Sequence, residues 1–222
     1  MILLGICGAS GSGKTTLAEE LEREIPEDCV ILHQDAYYLD HPDLSFEERV
    51  KLNFDEPFIF DHDLLYGDVC SLMSGRPVYR KGYDFAQHRR SDTKDLIMPP
   101  DVLIVEGIHA FYDKRLCDLM FLKMFIQVEP DECLLRRIRR DIKSRGRDID
   151  SIASQYLATV KPMYDRYIRN YIHDADIVIT QGGKNARIVS ILGGYFRHEL
   201  QKESAMPAVG PDADPADGNF GC

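Results

Sequence analysis

Gly8-Ala9-Ser10-Gly11-Ser12-Gly13-Lys14-Thr15-Thr16 decides how this chain is read. The stretch satisfies the spacing G-x-x-x-x-G-K-[ST]. Its glycines permit a tight turn whose N–H groups face phosphate oxygens, and the helix that follows adds the positive end of its dipole. Residues 2–7 ahead of it, Ile-Leu-Leu-Gly-Ile-Cys, read as a buried strand, and residues 14–24 behind it as a helix. In that setting Lys14 would reach the β- and γ-phosphates of a nucleotide, and the Thr15 hydroxyl would hold Mg²⁺. Gly8, Ser10, Gly11, Ser12, Gly13 and Thr16 complete the candidate phosphate-binding set.

Outward from the loop, short apolar runs alternate with amphipathic segments. Strands are expected at residues 2–7, 29–32, 102–105, 121–128 and 177–180, and helices at 14–24, 61–74, 130–144, 152–171 and 185–200. The alternation predicts an α/β phosphate-loop fold, with a parallel central sheet flanked by helices. Pro130 suits a first helical position and Gly75 a helix end, while Ser45-Phe-Glu-Glu48 reads as a capping box. Pro162 should break or kink the segment after Gln155. Residues 76–100, with Pro77, Gly82, Pro99 and Pro100, leave the pattern and read as an inserted hairpin or substrate lobe. Residues 1–203 are thus expected as one phosphate-loop domain. From 204 to 222 the chain turns to Pro, Gly, Ala and Asp and is expected to be disordered.

Charge narrows the function. The 222 residues carry 27 Lys and Arg against 37 Asp and Glu, a net charge of −10, which argues against a protein that coats nucleic acid. Seven of the 27 basic residues nevertheless fall within positions 136–147. On a helix, Leu135, Ile138 and Ile142 there share one apolar arc, and Arg136, Arg140 and Lys143 form a separate stripe. Such a local exception suits a small anion. No apolar run approaches the ~20 residues of a membrane span, and Met-Ile-Leu-Leu-Gly at the start does not resemble a signal peptide. The six scattered cysteines read as reduced thiols, so a cytoplasmic location is expected, and neither they nor the histidines form a zinc-type cluster.

Two carboxylates stand where transfer chemistry needs them. Val102-Leu-Ile-Val-Glu106-Gly107 ends a strand in an acid, at the edge where open α/β sheets bind ligands, so Glu106 is a candidate for the Mg²⁺ shell. Asp35, in His33-Gln-Asp-Ala-Tyr-Tyr38, follows the second strand and could receive a proton from an acceptor hydroxyl, although alone it would read as a loop aspartate. Neither Asp-x-x-Gly nor Asn-Lys-x-Asp, the additions of signalling GTPases, occurs in the chain.

Several short pieces occur in order: the loop itself, Gln34-Asp-Ala-Tyr-Tyr38, Asn53-Phe-Asp-Glu-Pro57, Tyr83-Asp-Phe-Ala-Gln-His88, Glu106-Gly-Ile, Arg145-Gly-Arg-Asp148 and Gln155. In this series, over about residues 2–185, the chain resembles the uridine kinase (uridine–cytidine kinase) family of nucleoside kinases related to phosphoribulokinase. The resemblance implies phosphorylation of the 5′-hydroxyl of uridine or cytidine in pyrimidine salvage, with ATP or GTP as donor, Mg²⁺, and a homotetramer. It implies Asp35 as the catalytic aspartate, Asp55 and Arg137 on the ribose hydroxyls, and Tyr83 and His88 in the base pocket. It also implies Arg140 and Arg145 in a lid over the donor phosphates, spanning residues 136–155, with Arg147 and Gln155 near the base. Leu39, the Glu56–Phe58 stretch and the Tyr79-Arg-Lys-Gly82 insert depart from the family pattern and are expected around the acceptor pocket, where they would bear on the choice of nucleoside. A phosphoribulokinase- or pantothenate kinase-like acceptor, or a regulatory nucleotide-binding protein without transfer activity, are the alternatives.

Overall fold

The computed structural model describes residues 1–25 and 28–205. Their strands are β1 (Ile2–Gly8), β2 (Cys29–His33), β3 (Val78–Asp84), β4 (Arg89–Ile97), β5 (Val102–Gly107), β6 (Leu122–Ile126) and β7 (Ile177–Ile179). Five of them form one parallel sheet in the order β2–β5–β1–β6–β7, and β3 and β4 pair as a separate antiparallel ribbon. Every residue of β1 and β5 is buried, because helices cover both faces of a parallel sheet.

Alternation along β1 sorts the core into two layers. Leu3 and Cys7 pack on one face with Leu103, Val105 and Phe125, beneath α3 (His62–Met73) and α4 (Lys114–Leu119). Ile2, Leu4 and Ile6 face the other way with Ile104, Met124 and Ile126. There they meet α1 (Lys14–Glu24) and α8 (Ala186–Ala205) through Leu17, Leu21, Val189 and Phe196. Truncating a fully buried leucine such as Leu17 would cost about 2–5 kcal/mol. The short helix α2 (Phe46–Arg49) opens on the expected capping box, with Ser45 and Glu48 exchanging side-chain and backbone hydrogen bonds.

Helix α5 (Pro130–Arg145) buries an unexpected face. The apolar arc does not pack: Leu135 and Ile142 are exposed, and the buried positions are Cys133, Arg137 and Asp141, one turn apart. The single helix expected over 152–171 is four pieces. They are α6 (Ile149–Gln155), a π-helical turn at Tyr156–Val160, α7 (Lys161–Arg166) and a 3₁₀ stretch at Ile168–Asp174. Pro162 lacks the N–H that a continuing α-helix would send back four residues, and the wider turn lies immediately before α7. The expected tail begins at Ser204 while α8 runs to Ala205, and residues 206–222 lie outside the described residues. Among the described residues no helix is long and apolar enough to cross a membrane.

Candidate active site

The phosphate loop joins β1 to α1 at the carboxyl edge of the sheet. Gly11 and Gly13 take φ of 88° and 103°, which L side chains avoid. A Cβ on Gly11 would lie 2.4 Å from the Cys133 carbonyl oxygen, and one on Gly13 would lie 2.8 Å from the Gly183 nitrogen. The loop is therefore wedged between the start of α5 and the segment after β7. Lys14 folds back so that Nζ donates to the Ala9 carbonyl at 3.0 Å. The Ser12 hydroxyl is buried without a partner. A cavity of about 490 Å³ opens over Gly11, Gly13, Lys14, Thr15 and Thr16, and Arg136, Arg140, Gln181, Gly183 and Lys184 close its far side. Gly8 and Ser12 support the loop from beneath rather than lining this cavity.

Parallel register sets His33 of β2 opposite Glu106 of β5. His33 Nδ1 lies 2.7 Å from Glu106 Oε1, and the Thr15 hydroxyl donates to the same oxygen at 3.1 Å. Burial alone would raise the Glu106 carboxyl. The His33 hydrogen bond and the Lys14 charge outweigh it and hold the group below its usual range. The hydrogen bond to Glu106 raises the His33 imidazole against the effect of its burial.

A second cavity, of about 520 Å³, gathers Ser10, Asp35, Asp55, Tyr83, His88, Arg137, Arg140, Arg145, Arg147 and Gln155. Residues up to 145 positions apart in sequence, from Ser10 to Gln155, thus meet in one place. Asp35 is the second residue of the 3₁₀ turn Gln34–Tyr37 just past β2, and burial, with the Glu106 charge behind it, raises its carboxyl. Asp55 is 5% exposed. Its Oδ2 lies 3.2 Å from the Thr159 hydroxyl, which the π-helical turn presents, and its Oδ1 lies 3.8 Å from Arg137 Nη1. Burial raises Asp55, and Arg137 opposes that shift.

Aromatic rings make the outer wall. Tyr38 stacks on Phe60 with centroids 4.4 Å apart, and Tyr83 leans on Tyr38 at 4.9 Å. His88, at the turn of the β3–β4 ribbon with φ of 48°, stacks on Phe54 at 4.8 Å. Burial lowers the His88 pKa, aided by the charges of Arg49, Arg147 and Arg145. Arg137 donates to Ser10 Oγ at 2.9 Å and to Gln155 Oε1 at 3.0 Å, and Arg147 donates to the same Gln155 oxygen.

Two placements differ from the sequence expectation. Arg145, expected over the donor phosphates, lies in the larger cavity with its guanidinium 4.6 Å above the Phe85 ring. The departures at Leu39, Glu56, Phe58 and Tyr79–Gly82 do not line that cavity. Phe58 is 63% exposed against Tyr112, and Tyr79, Arg80 and Lys81 border a separate hollow behind the ribbon.

Sequence reasoning also missed residues. Phe54 and Phe85 lie inside the Asn53–Pro57 and Tyr83–His88 motifs, and Gln181-Gly-Gly-Lys184 is a glycine pair just past the last strand. Asp141 was the lone acid inside the basic run. His109, fully buried and holding the Asp55 carbonyl, gave no signal.

A profile described as "Phosphoribulokinase / Uridine kinase family" matches residues 3–187. The chain belongs to that family. Uridine kinase of Streptococcus pneumoniae is 43% identical over 192 residues, which cover 86% of this chain and 91% of that protein. Among solved structures, phosphoribulokinase from Rhodobacter spheroides superposes with a TM-score of 0.62 at 14% identity, covering 81% of this chain and 69% of its own. D-glycerate 3-kinase from Cryptococcus neoformans var. grubii gives 0.51 at 18% identity, covering 77% of each chain. At such identities the structural likeness concerns the fold. The kinase family implies a nucleotide phosphoryl donor.

Proposed function

We propose that this kinase transfers the γ-phosphoryl group of ATP or GTP to the 5′-hydroxyl of uridine, and of cytidine, to form the monophosphate. The observation that carries the reading is the shared wall: Arg140 lines both cavities, so a donor over the phosphate loop and an acceptor beside Asp35 would meet across one guanidinium. The 43% identical uridine kinase supports the choice of acceptor. So does the composition of the larger cavity, where family departures are absent and carboxylate, aromatic and amide groups fit a ribose and a pyrimidine.

The residues divide the work. Asp35 would accept or orient the hydroxyl proton, and its raised pKa makes it a better base than a solvated carboxylate. Asp55, acceptor-only when ionised, suits two neighbouring ribose hydroxyls, and Arg137 holds it from behind. Tyr83, His88 and Gln155 border the space for the base. Lys14 and Arg140 offer donors to phosphate oxygens, and Arg145 adds positive charge near Asp35.

Thr15 Oγ1 and Glu106 Oε1, 3.1 Å apart, are hard oxygen donors suited to Mg²⁺ directly or through water. When bound, Mg²⁺ would neutralise charge on the donor phosphates. Incubating the protein with ATP and Mg²⁺ and a panel of uridine, cytidine, purine nucleosides and sugar phosphates tests the reading. Turnover of uridine or cytidine at the 5′ position is expected, and turnover confined to a sugar phosphate would overturn it.

A further inference from the structure

We propose that Asp141 is a positioning residue that couples the donor and acceptor cavities, through a carboxylate whose two oxygens each face one pair of arginines. The inference rests on the donor and acceptor assignment above. Asp141 has no exposed surface and sits on the inner side of α5. Its Oδ1 accepts from Arg140 Nε at 2.9 Å and lies 3.6 Å from Arg145 Nη1. Its Oδ2 lies 3.6 Å from Arg137 Nε and 3.8 Å from Arg147 Nη1. The first oxygen thus faces Arg140, the one residue common to both cavities, while the second faces Arg137 and Arg147, which line only the acceptor cavity.

Local geometry explains how four guanidinium groups reach one carboxylate. Arg137 and Arg145 stand one turn before and one turn after Asp141, on the same helical face. Arg140 is its neighbour. Arg147 returns because the helix ends at Gly146 with φ of 62°, and the Gly146 and Arg147 N–H groups both bond to the Asp141 carbonyl. The backbone of Asp141 therefore delivers the fourth arginine to its own side chain.

One contact in this network is open. Asp141 Oδ2 and Arg137 Nε are both buried and both without a hydrogen-bond partner, and they face each other at 3.6 Å. That is about 0.7 Å longer than an ordinary N–H···O bond. A small turn of the Arg137 side chain toward Asp141 would satisfy both atoms together, because both residues stand on α5 and no movement of the helix as a body alters their separation. Arg137 also contacts Ser10 and Asp55, so its side chain links the Asp141 carboxylate to the phosphate loop and to the acceptor cavity. A merely structural ion cluster would stabilise the helix without linking the two substrates.

The test measures uridine binding by calorimetry, with and without a non-hydrolysable ATP analogue, together with steady-state kinetics in both substrates. For Asp141→Asn, KM for uridine and for ATP should both rise by at least about fivefold, and kcat should fall by about tenfold. Any tightening of uridine binding by the analogue in the wild type should also be lost. A wild type with no such tightening, or a change in only one KM, overturns the proposal. Arg147→Lys is the second variant, in case Asp141→Asn fails to fold. It should raise KM for ATP although Arg147 does not line the donor cavity, and an ATP KM unchanged within about twofold overturns the proposal. Unaltered uridine binding in that variant would instead indict the acceptor assignment, so the two failures are distinguishable.

Discussion

His109 donates its Nε2–H to the backbone carbonyl of Asp55 at 2.8 Å, tying the residues just past β5 to the loop that carries the buried Asp55 carboxylate. A carbonyl can only accept, so the proton is on Nε2. Nδ1, 2.9 Å from the Tyr171 hydroxyl, is then the acceptor. Burial pushes the imidazole pKa down to about 4, against an ordinary value of 6.5. Between those values the unfolded chain binds the extra proton and the folded chain does not. Stability should therefore be lost as pH falls from 6.5 toward 4, by up to about 3 kcal/mol from this group. Asp35 and Asp55, raised by burial, act in the opposite sense at the acid end. The difference between wild type and His109→Gln isolates the imidazole. Urea unfolding at pH 7.5, 6 and 5 should show a smaller loss in the variant, and parallel losses would rule the mechanism out.

Asp35→Asn should lower kcat by at least ~10²-fold, the scale of a lost proton-transfer group, with nucleotide binding retained. The amide keeps the shape of the side chain and the cavity wall, so only the basic oxygen is removed. The wild-type rate should fall on the acid side, with a midpoint above the ordinary carboxylate range, because burial and Glu106 raise this group. A pH–rate profile of both proteins checks both points, and near-normal kcat in the variant would end the assignment.

Asp55→Ala should weaken uridine binding by tenfold or more while changing ATP binding little, since a hydrogen bond to a charged group contributes about 1.5–3 kcal/mol. Arg137 keeps Ser10, Gln155 and Asp141 as neighbours, so its loss of Asp55 is partly compensated. Calorimetric titration with each ligand separately decides. Equal losses for both would place Asp55 in general stability rather than in ribose recognition.

What the sequence revealed and what it hid follow from locality. The loop, Asp35 and Glu106 were legible because each is a short pattern at the carboxyl end of a buried strand, where strand and site are read together. The ribbon at 76–100 was legible from its prolines and glycines. The buried face of α5 was not, because hydrophobic periodicity selects Leu135, Ile138 and Ile142, whereas this helix packs a charged network, Arg137 with Asp141, against the loop. Periodicity has no means of detecting a salt-bridged interior. His109 was invisible for a related reason: its partners, Asp55 and Tyr171, lie 54 and 62 positions away. The π-helical turn that brings Thr159 to Asp55 was foreshadowed only by Pro162.

Phe85 and Arg145 provide the last prediction. The guanidinium lies 4.6 Å above the ring, joining the turn of the β3–β4 ribbon to the end of α5 over the cavity of about 520 Å³. Phe85 is 39% exposed, so the cation–π contact should contribute about 0.5–1 kcal/mol, a few-fold in affinity. Phe85→Ala should raise KM for uridine by that amount with little change in melting temperature, and Phe85→Tyr should restore it. Arg145→Ala removes the same contact together with positive charge near Asp35, so it should lower kcat as well. If the ring acts through the guanidinium, the double variant should bind uridine no worse than Arg145→Ala alone. Full additivity in that cycle would mean that Phe85 meets the nucleoside directly and that its position over Arg145 is incidental.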